Sequence, residues 1–82
     1  MLFLLLNQKY ISDMTVKEIG ELIKRRREFL NLRQEDLSEL SKVTIKTIHL
    51  VEQGSGNPSF ETLNKLSEVL GLELLLQVKK LS

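Results

Sequence analysis

The stretch that most constrains the fold is residues 33–58, RQEDLSELSKVTIKTIHLVEQGSGNP. Its apolar spacing predicts two short helices that meet at a sharp angle, with Leu37 and Val43 buried around the end of the first helix and the turn. Small Ser38 and Ser41 lie where the two helices must approach closely, since bulky side chains there would force them apart. This stretch therefore predicts a tight helical pair.

The second helix of this pair has one inward face and one free face. Thr44 is placed to cap its N-terminus, and Ile48 and Val51 face inward. The residues left pointing outward are Ile45, Lys46, Thr47, His49 and Leu50. We expect this outer face to be the binding surface.

Composition limits the chain to one small domain. It has 82 residues, of which 41% are hydrophobic, and a core of that size is usually marginal without a partner. It has no cysteine, which excludes disulfides and thiolate metal sites and agrees with a cytoplasmic setting. The net charge of +1 means that any phosphate-binding surface must be local. We interpret the basic run 24–27 as a solvated face with one structural arginine, the alternative being a contiguous basic patch.

Several marks around residues 33–58 carry a family resemblance by their order and spacing. They are Ile19-Gly20 with Ile23 and Arg27, then Leu32 to Leu37, Thr47-Ile48, Val51 to Gly54, Asn57 to Ser59, and Thr62-Leu63. With them the chain resembles the lambda-repressor-like, Xre-type helix-turn-helix regulators over about residues 16–74. Residues 71–78, GLELLLQV, are similar to a narrower group, the HipB-type antitoxins, whose domain is followed by a short strand.

We therefore predict an all-α, lambda-repressor-like DNA-binding domain. Four short helices are expected over about 16–30, 34–41, 44–53 and 60–70. A capping box at Thr15 to Glu18 begins the first helix, Ser59 caps the fourth, and Asn31 and Gly71 end these two helices. The apolar stripes that keep helical spacing are Ile19, Leu22, Ile23 and Leu30 on the first helix, and Phe60, Leu63, Leu66 and Leu70 on the fourth.

Besides Leu40, which stands where relatives commonly have a charged residue, two residues depart from the family pattern in ways that affect stability. Arg33 stands where relatives usually have threonine or serine, so a helix cap of about 1 kcal/mol is missing. Lys42 occupies the turn position that relatives most often give to glycine, and a side chain there costs about 1 kcal/mol in a left-handed conformation. Neither departure is expected to abolish the fold.

The domain is expected to cover residues 14–71, with the motif at 33–53. We interpret residues 1–13 as an extension outside the domain, from a start codon upstream of the true one, because Met14 directly precedes the capping box. The alternative is an apolar arm that pairs with another subunit. The opening MLFLLL is too short to span a membrane, and no positive charge precedes it as in a signal peptide.

Residues 72–82 are predicted to be a dimerisation strand and tail. The apolar period changes from helical to alternating, so that Leu72, Leu74, Leu76 and Val78 share one side. A lone strand leaves its backbone groups unpaired, and two copies pairing antiparallel about a two-fold axis would solve this. The alternative is that the pattern simply continues the fourth helix.

The resemblance implies roles for individual residues. Gln34, which opens the first motif helix, would bind a DNA phosphate, the alternative being an ordinary first-turn polar residue. Arg27 and Glu52 would form a structural ion pair, the alternative for Arg27 being direct contact with DNA. The residues implied to contact bases or phosphates after Gln34 are Thr44, Ile45, Lys46, Thr47, His49, Leu50, Ser55 and Asn57.

We expect a homodimeric, sequence-specific regulator that binds double-stranded DNA at a near-palindromic operator, an autorepressor, and the antitoxin of a HipA-like kinase toxin. The apolar Ile45 and Leu50 favour either contact with thymine methyl groups or an alternative function, a toxin-neutralising protein-interaction module. No cofactor is expected. His49 has no second histidine or cysteine with which to form a metal site. The sequence contains neither a catalytic set of residues nor a glycine-rich phosphate loop, so we do not expect an enzyme.

Overall fold

Four helices make up the part of the chain that the computed structural model describes, residues 15–75. In chain order they are α1, Val16–Phe29; α2, Gln34–Ser41; α3, Ile45–Glu52; and α4, Phe60–Leu70. The predicted all-α fold is confirmed, and each predicted helix bound agrees to within one residue. The interpretation of residues 1–13 lies outside the described residues.

Local sequence signals start and stop these helices. The Thr15 hydroxyl accepts a hydrogen bond from the Glu18 backbone N–H at 3.1 Å, and a Glu18 carboxylate oxygen accepts one from the Thr15 backbone N–H at 3.2 Å. At α4, the Ser59 hydroxyl accepts from the Thr62 N–H at 3.1 Å. Gly71 ends α4 in the left-handed conformation, with φ 71°. The capping signals predicted from the sequence are therefore present.

All four helices contribute to one apolar core. Its buried members are Ile23, Leu37, Val43, Ile48, Val51, Leu66 and Leu70. The prediction that the apolar stripes face the core is wrong for two residues, because Phe60 is 66% exposed and Leu30 is 37% exposed. Phe60 lies in the first turn of α4 at the edge of the buried stripe, and Leu30 follows the last residue of α1, so neither reaches the core.

Helices α1 and α3 touch through their backbones. A β-carbon built on Gly20 of α1 would overlap the carbonyl oxygen of Val51 in α3. Glycine is therefore required at this crossing, where any side chain would force the two helices apart. The contact fixes α3 against the longest helix of the domain.

The turn between α2 and α3 is held by two serines near the end of α2. The Ser38 hydroxyl donates to the Val43 carbonyl at 2.6 Å, and the Ser41 hydroxyl accepts from the Val43 N–H at 3.2 Å. Lys42 adopts the left-handed conformation, with φ 66°, although it is not glycine. The same conformation occurs in a different turn, between α1 and α2, where Asn31 has φ 57°. The turn between α2 and α3 therefore has a lysine in the left-handed conformation, as the departure from the family pattern predicted.

The basic run at the end of α1 contains two structural arginines. Arg27 is buried, while Arg26 donates from Nε to the Leu70 carbonyl at 2.7 Å and lies 5.1 Å from the centre of the Phe29 ring. The sequence predicted one structural arginine in this run, and the structure has two. Arg26 satisfies a carbonyl that the last turn of α4 leaves without a helical partner.

Residues 72–75 follow α4 without helix or strand, and Leu72 packs against the core. Leu76 and Val78 lie outside the described residues. The dimerisation strand stays a prediction.

Candidate nucleic-acid interface

Helix α3 is capped, half-buried and presented at the surface. The Thr44 hydroxyl accepts from the Thr47 N–H at 3.2 Å and donates to the Thr47 hydroxyl at 2.9 Å. On the inner face Ile48 is fully buried and Val51 nearly so. Because this face carries the packing, the outer face is free of any role in the core.

The residues predicted to read DNA lie together on that outer face. Thr44, Ile45, Lys46, His49 and Leu50 are exposed, and Thr47 is half-buried. Ile45 is 44% exposed and Leu50 is 41% exposed, so the surface combines two apolar side chains with hydroxyl, ammonium and imidazole groups. Such a surface can donate hydrogen bonds to base edges and pack on thymine methyl groups.

A buried ion pair sets the position of the end of α3. Arg27 donates from Nε to Oε2 of Glu52 at 2.7 Å and from Nη2 to Oε1 at 2.9 Å. It also donates from Nη1 to the Leu32 carbonyl at 2.8 Å, so one guanidinium connects α1, the following loop and α3. Its hydrogen bonds to Glu52 raise the pKa of Arg27 above the ordinary value, despite the opposing effect of burial.

Gln34 joins this network. Its Nε2 donates to Oε1 of Glu52 at 3.0 Å, a contact between the first turn of α2 and the last turn of α3. The side chain is half-buried. An amide nitrogen carries two hydrogens, so this bond leaves one N–H and the amide oxygen of Gln34 for another partner. Sequence reasoning named Gln34 but missed this partner, because only the folded chain brings residues 34 and 52 together.

The start of α2 uses a substitute for the missing cap. Arg33 makes no side-chain cap, as expected, but a carboxylate oxygen of Asp36 accepts from the Arg33 backbone N–H at 2.8 Å. The Arg33 guanidinium also donates to Asp36 at 3.2 Å. These side-chain and backbone hydrogen bonds from Arg33 hold the pKa of Asp36 below its ordinary value.

The loop after α3 lies beside the start of α1. Gly54 has φ 74°, and Ser55, Gly56 and Asn57 are exposed. The Ser55 backbone N–H donates to the Leu50 carbonyl at 2.9 Å, which leaves its hydroxyl as the group free for a ligand. This loop and Gln34 therefore provide polar groups outside α3 itself.

Two other classes of site find no support in residues 15–75. No group of three or more histidine, cysteine, aspartate or glutamate side chains in this part of the chain is arranged to hold a metal ion. None of its helices has the length and apolar character needed to cross a bilayer.

Comparison with known proteins agrees with this geometry. Residues 23–77 match the helix-turn-helix family, which covers both motif helices, the loop after α3 and α4. The chain therefore belongs to the helix-turn-helix family of DNA-binding domains.

Its relatives include proteins whose names describe them as proposed HTH-type transcriptional regulatory proteins. Over 56 residues, 68% of the chain, it is 41% identical to one from Methanococcus vannielii and 38% identical to one from Methanococcus maripaludis strain C5. The matched stretch is only 17% of the length of each relative.

Proposed function

We propose that this chain is a sequence-specific transcriptional regulator that reads DNA with the outer face of α3. The observation that carries the proposal is the division of α3, which buries Ile48 and Val51 and leaves a polar and apolar surface exposed. Within residues 15–75, Lys46 on that surface has no ion pair, so its charge is available to DNA. The names of the relatives, HTH-type transcriptional regulatory proteins, support the same function.

The side chains of α3 suit the major groove. Lys46 can donate to O6 and N7 of guanine or to a phosphate, and Thr44 and Thr47 can contact base edges or phosphates. Ile45 and Leu50 can pack against thymine methyl groups. His49 is a further exposed hydrogen-bonding group. A reader of this kind depends on methyl contacts and DNA shape more than one rich in arginine and glutamine.

Phosphate contacts would come from both sides of α3. Gln34 lies at the positive N-terminal end of α2 and keeps one side-chain N–H after donating to Glu52. Ser55 and Asn57 are exposed in the loop beyond the other end of α3. Contacts of this type set the orientation of the protein on the duplex without reading sequence.

A homodimer would let two such helices bind one operator. Pairing of Leu72, Leu74, Leu76 and Val78 across a two-fold axis is the dimerisation we propose, and it would place the α3 helices about 34 Å apart on a near-palindromic site. On this proposal the chain represses its own operon. Its role beside a HipA-like kinase toxin is that of the antitoxin.

Fluorescence anisotropy tests the proposal. DNA from the region upstream of the chain's own gene is compared with scrambled DNA of equal length at several salt concentrations. We expect preference for the upstream DNA, with a logarithmic salt slope of about −0.9 for each phosphate neutralised. Equal, weak binding to both DNAs would contradict autorepression, and the absence of salt-dependent binding would contradict DNA binding altogether.

A second candidate function is a protein-interaction module that neutralises a toxin. The exposed Ile45 and Leu50 favour it, since apolar side chains on a surface helix also suit a protein partner. Replacing Lys46 separates the two functions, because a DNA reader loses operator affinity while binding of a toxin through the apolar residues is kept.

A further inference from the structure

We infer that Lys17 binds a DNA phosphate at the junction between α1 and the loop that follows α3. This inference rests on the proposed function, and it adds a contact from a helix outside the motif. The region involved is Lys17 in the first turn of α1 together with residues 54–57.

The first step is the close contact between Lys17 and Gly54. A β-carbon built on Gly54 would lie 2.8 Å from Cα of Lys17, 3.1 Å from its Cβ and 3.2 Å from its Cγ. The stem of the lysine therefore lies directly against the Gly54 backbone. Gly54 also has φ 74°, so both its conformation and this contact require glycine.

The second step is that the charge of Lys17 is not used within residues 15–75. Lys17 is exposed and forms no ion pair there. Of the acidic residues on its own helix, Glu21 pairs with Arg25 at 3.6 Å and Glu18 accepts from Thr15 at 3.2 Å. The lysine whose stem lies against Gly54 therefore has no ion-pair partner within residues 15–75 and can bind an anion.

The third step compares the length of α3 with the width of the major groove. Helix α3 has 8 residues, and a helix of this length measures about 12 Å, close to the width of the major groove, about 12 Å. Groups just beyond the C-terminal end of a helix seated there can reach the phosphates at the edge of the groove. Lys17 supplies charge at that place, and Ser55 and Asn57 supply hydrogen bonds.

Sequence reasoning passed over Lys17 because it lies outside the motif and 37 positions before Gly54 in the chain. Only the packing of α1 against α3 brings the two residues together. The same packing is fixed by Gly20 at its contact with Val51. The phosphate contact thus depends on the α1–α3 crossing.

The test compares Lys17→Gln with Lys24→Gln in the full chain. Glutamine keeps the stem but removes the charge, and Lys24 is an exposed lysine on the same helix two turns farther from Gly54. Binding to upstream and scrambled DNA is measured by anisotropy between 50 and 200 mM salt. Thermal unfolding of each variant is followed by circular dichroism.

We expect Lys17→Gln to weaken binding to both DNAs equally and to reduce the salt slope by about 0.9, the value for one phosphate. The ratio of the variant's Kd to the wild-type Kd would then be about 3.5-fold smaller at 200 mM salt than at 50 mM salt. Lys24→Gln should leave the slope unchanged, and both variants should unfold like the wild type.

The inference is overturned if the wild type binds with a steep salt slope and Lys17→Gln retains that slope, an outcome that leaves the proposed function intact. It is also overturned if Lys24→Gln lowers the slope as much, since the effect would then be general charge. If the wild type itself binds no DNA, the proposed function fails and this inference fails with it.

Discussion

Arg27 and Glu52 form a two-point ion pair in which the Nε–Oε2 distance is 2.7 Å and the Nη2–Oε1 distance is 2.9 Å. Both side chains are almost inaccessible to solvent. Because Gln34 donates to the same carboxylate, the angle of α3 and the position of the proposed phosphate donor depend on one residue, Glu52. The pair is thus the connection between the core and the proposed interface.

Glu52→Gln should destabilise the domain by about 3 kcal/mol or more, because it leaves the Arg27 charge buried without its counter-ion. The measurement is urea unfolding followed by circular dichroism. The control is Glu61→Gln, which removes an exposed carboxylate paired with Lys65 at 3.1 Å and should cost less than about 1 kcal/mol. Equal costs for the two variants would show that the buried pair does not hold the fold.

Gly20→Ala should lower stability although alanine favours a helix by about 1 kcal/mol over glycine. The new methyl group overlaps the Val51 carbonyl oxygen, so α1 and α3 must separate. The urea midpoint of unfolding and the affinity for DNA should both be lower than in the wild type. Lys24→Ala, at an exposed position of the same helix, should be nearly neutral. A Gly20→Ala variant more stable than wild type would refute the close crossing.

Lys42→Gly should stabilise the domain by about 1 kcal/mol, because glycine adopts the left-handed conformation at φ 66° without steric cost. The gain is read as a shift of the urea midpoint. Asn31→Gly, at φ 57°, is the matched comparison and should gain less, since asparagine tolerates this conformation better than lysine. A loss of stability in Lys42→Gly would argue against strain in the turn.

Asp36→Asn should make the free energy of unfolding less dependent on pH in the acid range. Hydrogen bonds from Arg33 lower the pKa of Asp36 in the folded chain, so the ionised carboxylate stabilises the fold. That contribution is complete above the unfolded pKa, about 3.9, and is lost as pH falls through the lower folded value.

The measurement for Asp36 is the urea midpoint from pH 7 down to the acid limit. Wild type should lose more stability than Asp36→Asn as the pH falls, and the two should converge at the acid end. Glu39→Gln, at an exposed carboxylate of the same helix, serves as the control. Parallel profiles for wild type and Asp36→Asn would contradict the role of the Arg33–Asp36 contacts.

The helices could be predicted from the sequence because their signals are local. The box at Thr15 to Glu18, the cap at Ser59 and the glycine at 71 act within a few residues, and each is formed in the structure. The exposure of Phe60 was missed because periodicity alone does not say which members of a stripe lie beyond the end of the core.

The connections between helices could not be predicted in the same way. The bonds from Arg26 to Leu70 and from Gln34 to Glu52 join residues 44 and 18 positions apart. Their geometry follows from how four helices pack, which no short-range pattern encodes. The resemblance to a family supplied the site residues, and spacing alone would not have assigned their roles.

The central claim is that the outer face of α3 reads DNA, and Lys46→Ala tests it most directly. Affinity for the upstream DNA and for scrambled DNA is measured by anisotropy at fixed salt, with Lys24→Ala as the control. We predict at least a tenfold loss on the upstream DNA, about 1.4 kcal/mol, with unfolding by heat unchanged. Unchanged affinity of a folded Lys46→Ala variant would contradict the claim.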